Sequence, residues 1–293
     1  MGWIAFTLMA ACMQAIRVAA QKQLSGQMSA LGVTFVRYLF GLPFVALYLY
    51  WLGVDFALVQ QASPVVWAWI LAGGIFQIIA TWALISVFRW HNFAVGTTLA
   101  KTETLLAAVF GALFFGLSLT FMGWTAVLIG MAGIICLSWP ARVHIRNWLS
   151  PATLLGLLSG LLFAVNALAI HHSSRLFDLP PIHAAAVVLC SMILMQIPLM
   201  VLWMTWREPR VWRDIRQHWR PGLFIGLTSA IGSVGWFTAM SLQNPALVKT
   251  LGQVEFFLVL LITLRVFRER IQRREWAGMA LILLSVIVVM QAG

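Results

Sequence analysis

Ten apolar runs, separated by short stretches of Gly, Pro, Asn and Arg, divide the 293-residue chain. They predict helices over 2–24, 30–53, 64–90, 93–117, 121–140, 150–172, 181–206, 220–241, 245–267 and 271–292. Each run has about the ~20 residues that a helix needs to cross a hydrocarbon core. None shows the alternation of a barrel strand, and an open sheet would leave backbone groups unpaired in lipid. The predicted fold class is an all-α integral membrane protein of ten transmembrane helices, packed as one structural domain.

The few polar positions inside these runs recur. An ungapped offset of 152 residues pairs Asn92-Phe93-Ala94 with Asn244-Pro245-Ala246, Thr98-Leu99 with Thr250-Leu251, and Glu103 with Glu255. It also pairs Phe115 with Phe267, Trp124 with Trp276, Ile135 with Ile287, and Gln14-Ala15 with Asn166-Ala167. Apolar composition produces chance matches of Leu and Ala, but it does not readily pair an intramembrane Glu with a Glu. The offset sets a first repeat at 1–147 and a second at 148–293, each of five helices. Five is odd, so the second repeat enters the membrane from the opposite side. Two inverted five-helix repeats are a recurrent plan in secondary transporters, with substrate bound near the midplane between the halves.

Composition excludes a water-soluble fold: 62% of residues are hydrophobic and only 9% charged, against roughly 25% charged in soluble domains. The net charge of +11 would point to nucleic acid in a soluble protein, but here the basic residues fill the gaps after helices 1, 3, 5, 7 and 9. Those gaps hold Lys22, Arg89, Arg142, Arg146, then Arg207, Arg210, Arg213, Arg216 and Arg220, then Arg265, Arg268, Arg270, Arg273 and Arg274. The opposite gaps hold Arg175 with Asp55 and Asp178. By the positive-inside rule the Arg-rich side is cytoplasmic, which places both termini outside a cell (inner) membrane. The expected partners are the lipid bilayer and a small-molecule substrate, with no nucleic acid; the oligomeric state is not legible. Cys12, Cys136 and Cys190 are odd in number and lie in apolar runs, so they read as small buried residues and not as a disulfide framework. No cleavable signal peptide is expected, because the start lacks a basic region; Met9-Ala10-Ala11-Cys12 only faintly resembles a lipoprotein cleavage site.

The helix count, the five-plus-five division and one repeat ending resemble the drug/metabolite transporter superfamily, specifically its ten-helix proteins with two EamA-type repeats. The ending is Phe267-Arg268-Glu269-Arg270, then Trp276-Ala277-Gly278-Met279 and the run from Leu281 to Val289. In the first repeat the matching turn, Gly116-Leu117-Ser118, lacks the acid, while Gly123-Trp124 and Gly130-Met131-Ala132-Gly133 fit. The resemblance implies transport of a small organic metabolite, often amino-acid-like and often by export. Two features depart from the family pattern: its members often have cytoplasmic termini, and many carry proline near the positions of Glu103 and Glu255.

Glu103 and Glu255 each lie about ten residues into a helix, which at ~1.5 Å per residue is roughly 15 Å deep, near the midplane. A carboxylate there is costly unless paired, protonated or wetted, so each is a candidate for binding substrate or a coupling proton, the alternative being a clamp on a neighbouring helix. Lys101 is two residues from Glu103 and points to another face, so the two are not a natural pair; with Arg17 and Arg37 it is a candidate to hold a substrate's negative group. Lys249 shares a face with Gln253, or snorkels outward. Gln14, Arg17 and Gln21 make a polar stripe on helix 1. Arg17 and Arg37 suit a carboxylate or phosphate, or else snorkel or bridge to Glu103. Four intramembrane cations against two acids favour a substrate with a negative group. Asn166 joins the candidates as the repeat partner of Gln14. Trp82 and Trp236 are candidates to line a cavity. Trp3, Trp51, Trp90, Trp139, Trp148, Trp206, Trp219 and Trp276 read as interface belts. His171, His172 and His183 read as surface residues around one outer gap, with no metal site. Gly156 with Gly160, and Gly222 with Gly226, read as helix-packing glycines.

No phosphate-cradling loop, nucleophile elbow or H-E-x-x-H motif occurs. The expectation is therefore a gradient-driven transporter that is not an enzyme and uses no cofactor. It would move an amino-acid-like, anionic or zwitterionic metabolite outward by alternating access. The rivals are a proton-coupled multidrug or cation exporter and a lipid-handling or structural membrane subunit. The charge map predicts that reporter fusions at either terminus report an extracytoplasmic location; a cytoplasmic signal would first indict the helix count.

Overall fold

The computed structural model describes residues 2–87, 99–138, 151–262 and 273–292, and every regular element in them is helical. In chain order these are α1 (Gly2–Leu24), α2 (Ala30–Leu39), α3 (Leu42–Trp51), α4 (Phe56–Gln60), α5 (Pro64–Val87), α6 (Glu103–Phe114) and α7 (Phe121–Ser138). There follow α8 (Pro151–Leu176), α9 (Pro181–Arg207), α10 (Val211–Gln217), α11 (Trp219–Leu242), α12 (Pro245–Gly252), α13 (Glu255–Ile262) and α14 (Arg273–Ala292). Trp90, Trp139, Trp148, the Asn92-Phe93-Ala94 motif, the acidic turn 267–270 and the arginines at 89, 142, 146, 265, 268 and 270 lie outside the described residues.

Among the described residues, six helices are long and apolar enough to cross a membrane: α1, the joined α2 and α3, α5, α8, α9 and α11. The apolar stretches of α6, α7 and α14 are shorter. Starts follow local chemistry. The Ser29 side chain caps α2 by accepting from the Gly32 amide at 3.1 Å, and Asn244 caps α12 by accepting from the Ala246 amide at 2.9 Å, with Pro245 in the first turn. Large apolar side chains face outward, among them Leu47, Leu113, Phe121 and Leu202. That surface suits hydrocarbon, not water.

The packing obeys the repeat. α1 runs along α11, α5 along α8, and α7 along α14. The 152-residue offset carries α1 onto α8, α5 onto α11 and α7 onto α14, so it exchanges these partners among themselves. α6 and α12 complete the bundle, packing on each other, on α8 and α1 respectively, and on α7 and α14.

Three expected helices are broken. The 30–53 helix divides at Phe40–Gly41, because Pro43 has no N–H to give the Leu39 carbonyl. There the chain lies almost directly on α11: a Cβ on Gly226 would stand 2.5 Å from the Phe40 carbonyl carbon. The 245–267 helix breaks at Gln253–Val254, and the 93–117 helix at Lys101–Thr102, the two places related by the offset. Other expectations shift in smaller ways. α4 and α10 are extra short helices in the gaps, α6 ends at Phe114, and α8 runs on to Leu176, carrying His171 and His172 inside a helix. His171 is buried, with its Nδ1 at 2.6 Å from the Met240 carbonyl. Trp3 is buried rather than interfacial, while Trp51, Trp206, Trp219 and Trp276 are exposed; Cys190 is buried, but Cys12 and Cys136 only partly.

Gly226→Ala must push α11 off the Phe40–Gly41 backbone. It should lower stability by roughly 1–3 kcal/mol in thermal unfolding of the detergent-purified protein. Gly26→Ala, whose nearest neighbour would be the Gln23 carbonyl oxygen at 3.7 Å, is the matched control and should melt like the parent.

Candidate functional site

The two helix breaks decide where the charges go. Glu103 is the first residue of α6 and Glu255 the first of α13, so each acid stands in a first helical turn, where the helix dipole favours negative charge. Lys249 occupies the last turn of α12, where carbonyls favour a cation, and Lys101 lies in the break itself. The tips then pair crosswise. Lys101 Nζ donates to Glu255 Oε1, and Lys249 Nζ donates to Glu103 Oε2 at 3.1 Å. Each pair joins a residue of one repeat to a residue of the other. This differs from the expectation that Lys249 would meet Gln253 or snorkel outward, and it leaves no bridge between Arg17 and Glu103.

A neutral relay continues from the first pair. Gln14 Nε2 donates to Glu255 Oε2 at 2.6 Å, while Gln14 Oε1 accepts from Trp236 Nε1 at 3.0 Å and from Arg17 Nη2 at 3.3 Å. The amide thus links a carboxylate, an indole and a guanidinium. Lys249 Nζ also lies 4.6 Å over the Trp236 ring and 5.8 Å over the Phe163 ring, within cation–π range.

Arg37 spans the bundle between α5 and α11. Its Nη1 donates to Thr81 Oγ1 at 3.3 Å and its Nη2 to Ser233 Oγ at 3.4 Å, two hydroxyls related by the 152-residue offset. Among the described residues, neither Arg17 nor Arg37 has a carboxylate within salt-bridge distance. Both are only 6% exposed, and Arg17 Nε has no hydrogen-bond partner.

Nine of the eleven expected residues line one central cavity of about 120 Å³: Gln14, Arg17, Arg37, Lys101, Glu103, Asn166, Trp236, Lys249 and Glu255. Asn166 Oδ1 is buried without a partner. The remaining two lie elsewhere. Trp82 packs against the main apolar core, and the Gln253 amide is buried beside Gly130 and Ser285 with neither of its polar atoms hydrogen bonded. Sequence reasoning missed Gln77, Phe163, Ser233 and Phe237, which also line the cavity. The offset pairing of Thr81 with Ser233 was the available signal for one of them. Gln77, which accepts from Gln196 at 2.8 Å, was visible as an amide inside an apolar run.

Fold and site together define a multi-pass helical membrane protein with a charged cavity enclosed by paired broken helices. The chain belongs to the EamA-like transporter family, whose model matches residues 1–139 and again 150–291. It is thus an EamA-type member of the drug/metabolite transporter superfamily. A search of curated proteins finds no match. A solved structure described as "Crystal structure of protein" superposes with a TM-score of 0.78 at 20% identity, over 99% of this chain and 97% of that one. At that identity the likeness concerns the fold.

Removing one member of a buried ion pair strands the other and costs roughly 3–5 kcal/mol, more than removing both. Glu103→Gln and Lys249→Met should therefore each destabilise the protein, and the double variant should be less destabilised than the sum of the two. Additive losses in a thermal double-mutant cycle would mean that the pair is not coupled.

Proposed function

We propose that this protein is a secondary transporter that carries a small anionic or zwitterionic organic metabolite, amino-acid-like in size, out of the cell by alternating access. The membrane-spanning unit is read as ten crossings in two inverted five-helix halves in the cell's inner membrane, with both termini outside. One observation carries the anion preference: lysines already hold both cavity acids, while Arg17 and Arg37 have only neutral partners. A buried charge in that state is expensive, and a substrate carboxylate supplies the missing partner. Guanidinium forks grip carboxylates with paired donors.

In this reading Glu103 and Glu255 act through their lysines. A proton arriving on either carboxylate frees a lysine to face the substrate, which gives a gradient a way to couple to binding. The proton-coupled cation exporter is less well supported, because it needs an acid turned free toward the cavity. A cavity of about 120 Å³ is also well below the ~300–1,000 Å³ of drug-sized pockets. A lipid-handling or structural subunit would not transport alone.

The test is flux through the purified chain in liposomes. An anionic substrate should exchange across the bilayer, and Arg17→Gln or Arg37→Gln should reduce the rate at least about tenfold, as expected when a charge-assisted contact worth ~1.5–3 kcal/mol is lost. Parental rates from both variants would sink the proposal. Glu103→Gln and Glu255→Gln combined should make flux insensitive to an imposed pH gradient.

A further inference from the structure

Resting on the anion-binding reading above, we infer a narrower ligand class: an organic anion that bears no amine and carries one compact aromatic or apolar body. An amino-acid zwitterion fits the cavity poorly, because each of the two acids in its wall already holds a lysine. Glu103 and Glu255 are taken by Lys249 and Lys101. The aromatic faces of Trp236 and Phe163, which could hold a cation by their quadrupoles, already lie under the Lys249 ammonium at 4.6 and 5.8 Å. Among the described residues of the wall, Asn166 Oδ1 is a buried acceptor without a partner, and it is neutral. A single amide does not offset the desolvation of a buried ammonium, and four cationic side chains around it add repulsion.

The anionic half of the ligand has a place. Arg17 Nε is buried and unpartnered, and Arg37 is held by two hydroxyls only through contacts of 3.3 and 3.4 Å. Those contacts are long for charge-assisted hydrogen bonds. Both guanidiniums can exchange them for a carboxylate.

The other half has a place as well. The apolar lining comes from Phe163 and Ile170 on α8 and Phe237 and Met240 on α11, with Val18 on α1 and Leu84 on α5. A ligand in this cavity therefore meets guanidinium and hydrocarbon in the same wall. The small volume limits that body to about one ring.

Three probes with the same ring separate the alternatives: 3-phenylpropionate, L-phenylalanine and 2-phenylethylamine, with propionate as the ringless control. They are titrated against the full-length protein in thermal-shift measurements, since a ligand that binds only the folded form raises apparent stability. The expected result is a saturable upward shift with 3-phenylpropionate. L-Phenylalanine and propionate should need at least ten times the concentration, and 2-phenylethylamine should give no shift. Arg17→Gln should abolish the shift and Arg17→Lys, which keeps the charge, should retain part of it. If Arg17→Gln does not fold, Arg37→Gln serves the same purpose. L-Phenylalanine binding as tightly as 3-phenylpropionate, with the same Arg17 dependence, would overturn the amine exclusion and leave the anion transporter standing. Equal binding of propionate would overturn the apolar end. Binding of 2-phenylethylamine alone would overturn the inference and the anion reading together. No shift with any probe overturns the inference, while the flux measurement still judges transport.

Discussion

An ionised side chain in the middle of a bilayer must find a partner or lose its charge, and this bundle meets that demand by exchanging partners between its halves. Lys101 answers Glu255 and Lys249 answers Glu103, so neither repeat satisfies its own acid. Half a chain alone would carry a stranded carboxylate and a stranded ammonium in hydrocarbon. The crossed pairs therefore tie the halves together more specifically than apolar packing does, because lipid tails compete with apolar contacts but not with a counter-ion.

The same constraint explains the helix breaks. Interrupting the chain at Lys101–Thr102 and again at Gln253–Val254 starts two helices at Glu103 and Glu255, where the helix dipole favours negative charge. Broken backbone at that depth is tolerated where it is buried in protein or lines a cavity, and here it does both. The Gln14 amide then joins the α13 tip to Trp236 and Arg17. The α13 tip and the Arg17 guanidinium thus share one hydrogen-bonded amide.

Much of this was legible in the chain before any coordinates. Hydrophobic run length gave the helical membrane class, and the Glu103–Glu255 register singled out both acids and the correspondence between halves. The local pairing rules failed, and for a physical reason. They treat Lys101 and Lys249 against neighbours on the same helix, whereas each partner stands more than a hundred residues away on another. The breaks escaped notice because Thr102 and Gln253 are ordinary helix residues, with no Pro or Gly at the site of interruption beyond Gly252. The burial of His171 was hidden because its partner is a backbone carbonyl, Met240, which no side-chain pattern reveals. Trp82 and Trp236 looked alike by position, yet only Trp236 reaches the cavity; the offset places Leu84, not Trp82, opposite it, and Leu84 is in the cavity wall.

Arg37 bridges Thr81 and Ser233, which are each other's counterparts, so it stands close to the axis that relates the halves. A residue near such an axis is present once, and its own counterpart, Leu189, is fully buried and aliphatic. Two identical halves would make the cavity the same whether it opened to one side or the other, and the two openings would be equal in energy. Arg37 set against Leu189 and Arg17 set against Ala169 remove that equality. The two halves share a plan, and the arginines that line the cavity are what they do not share.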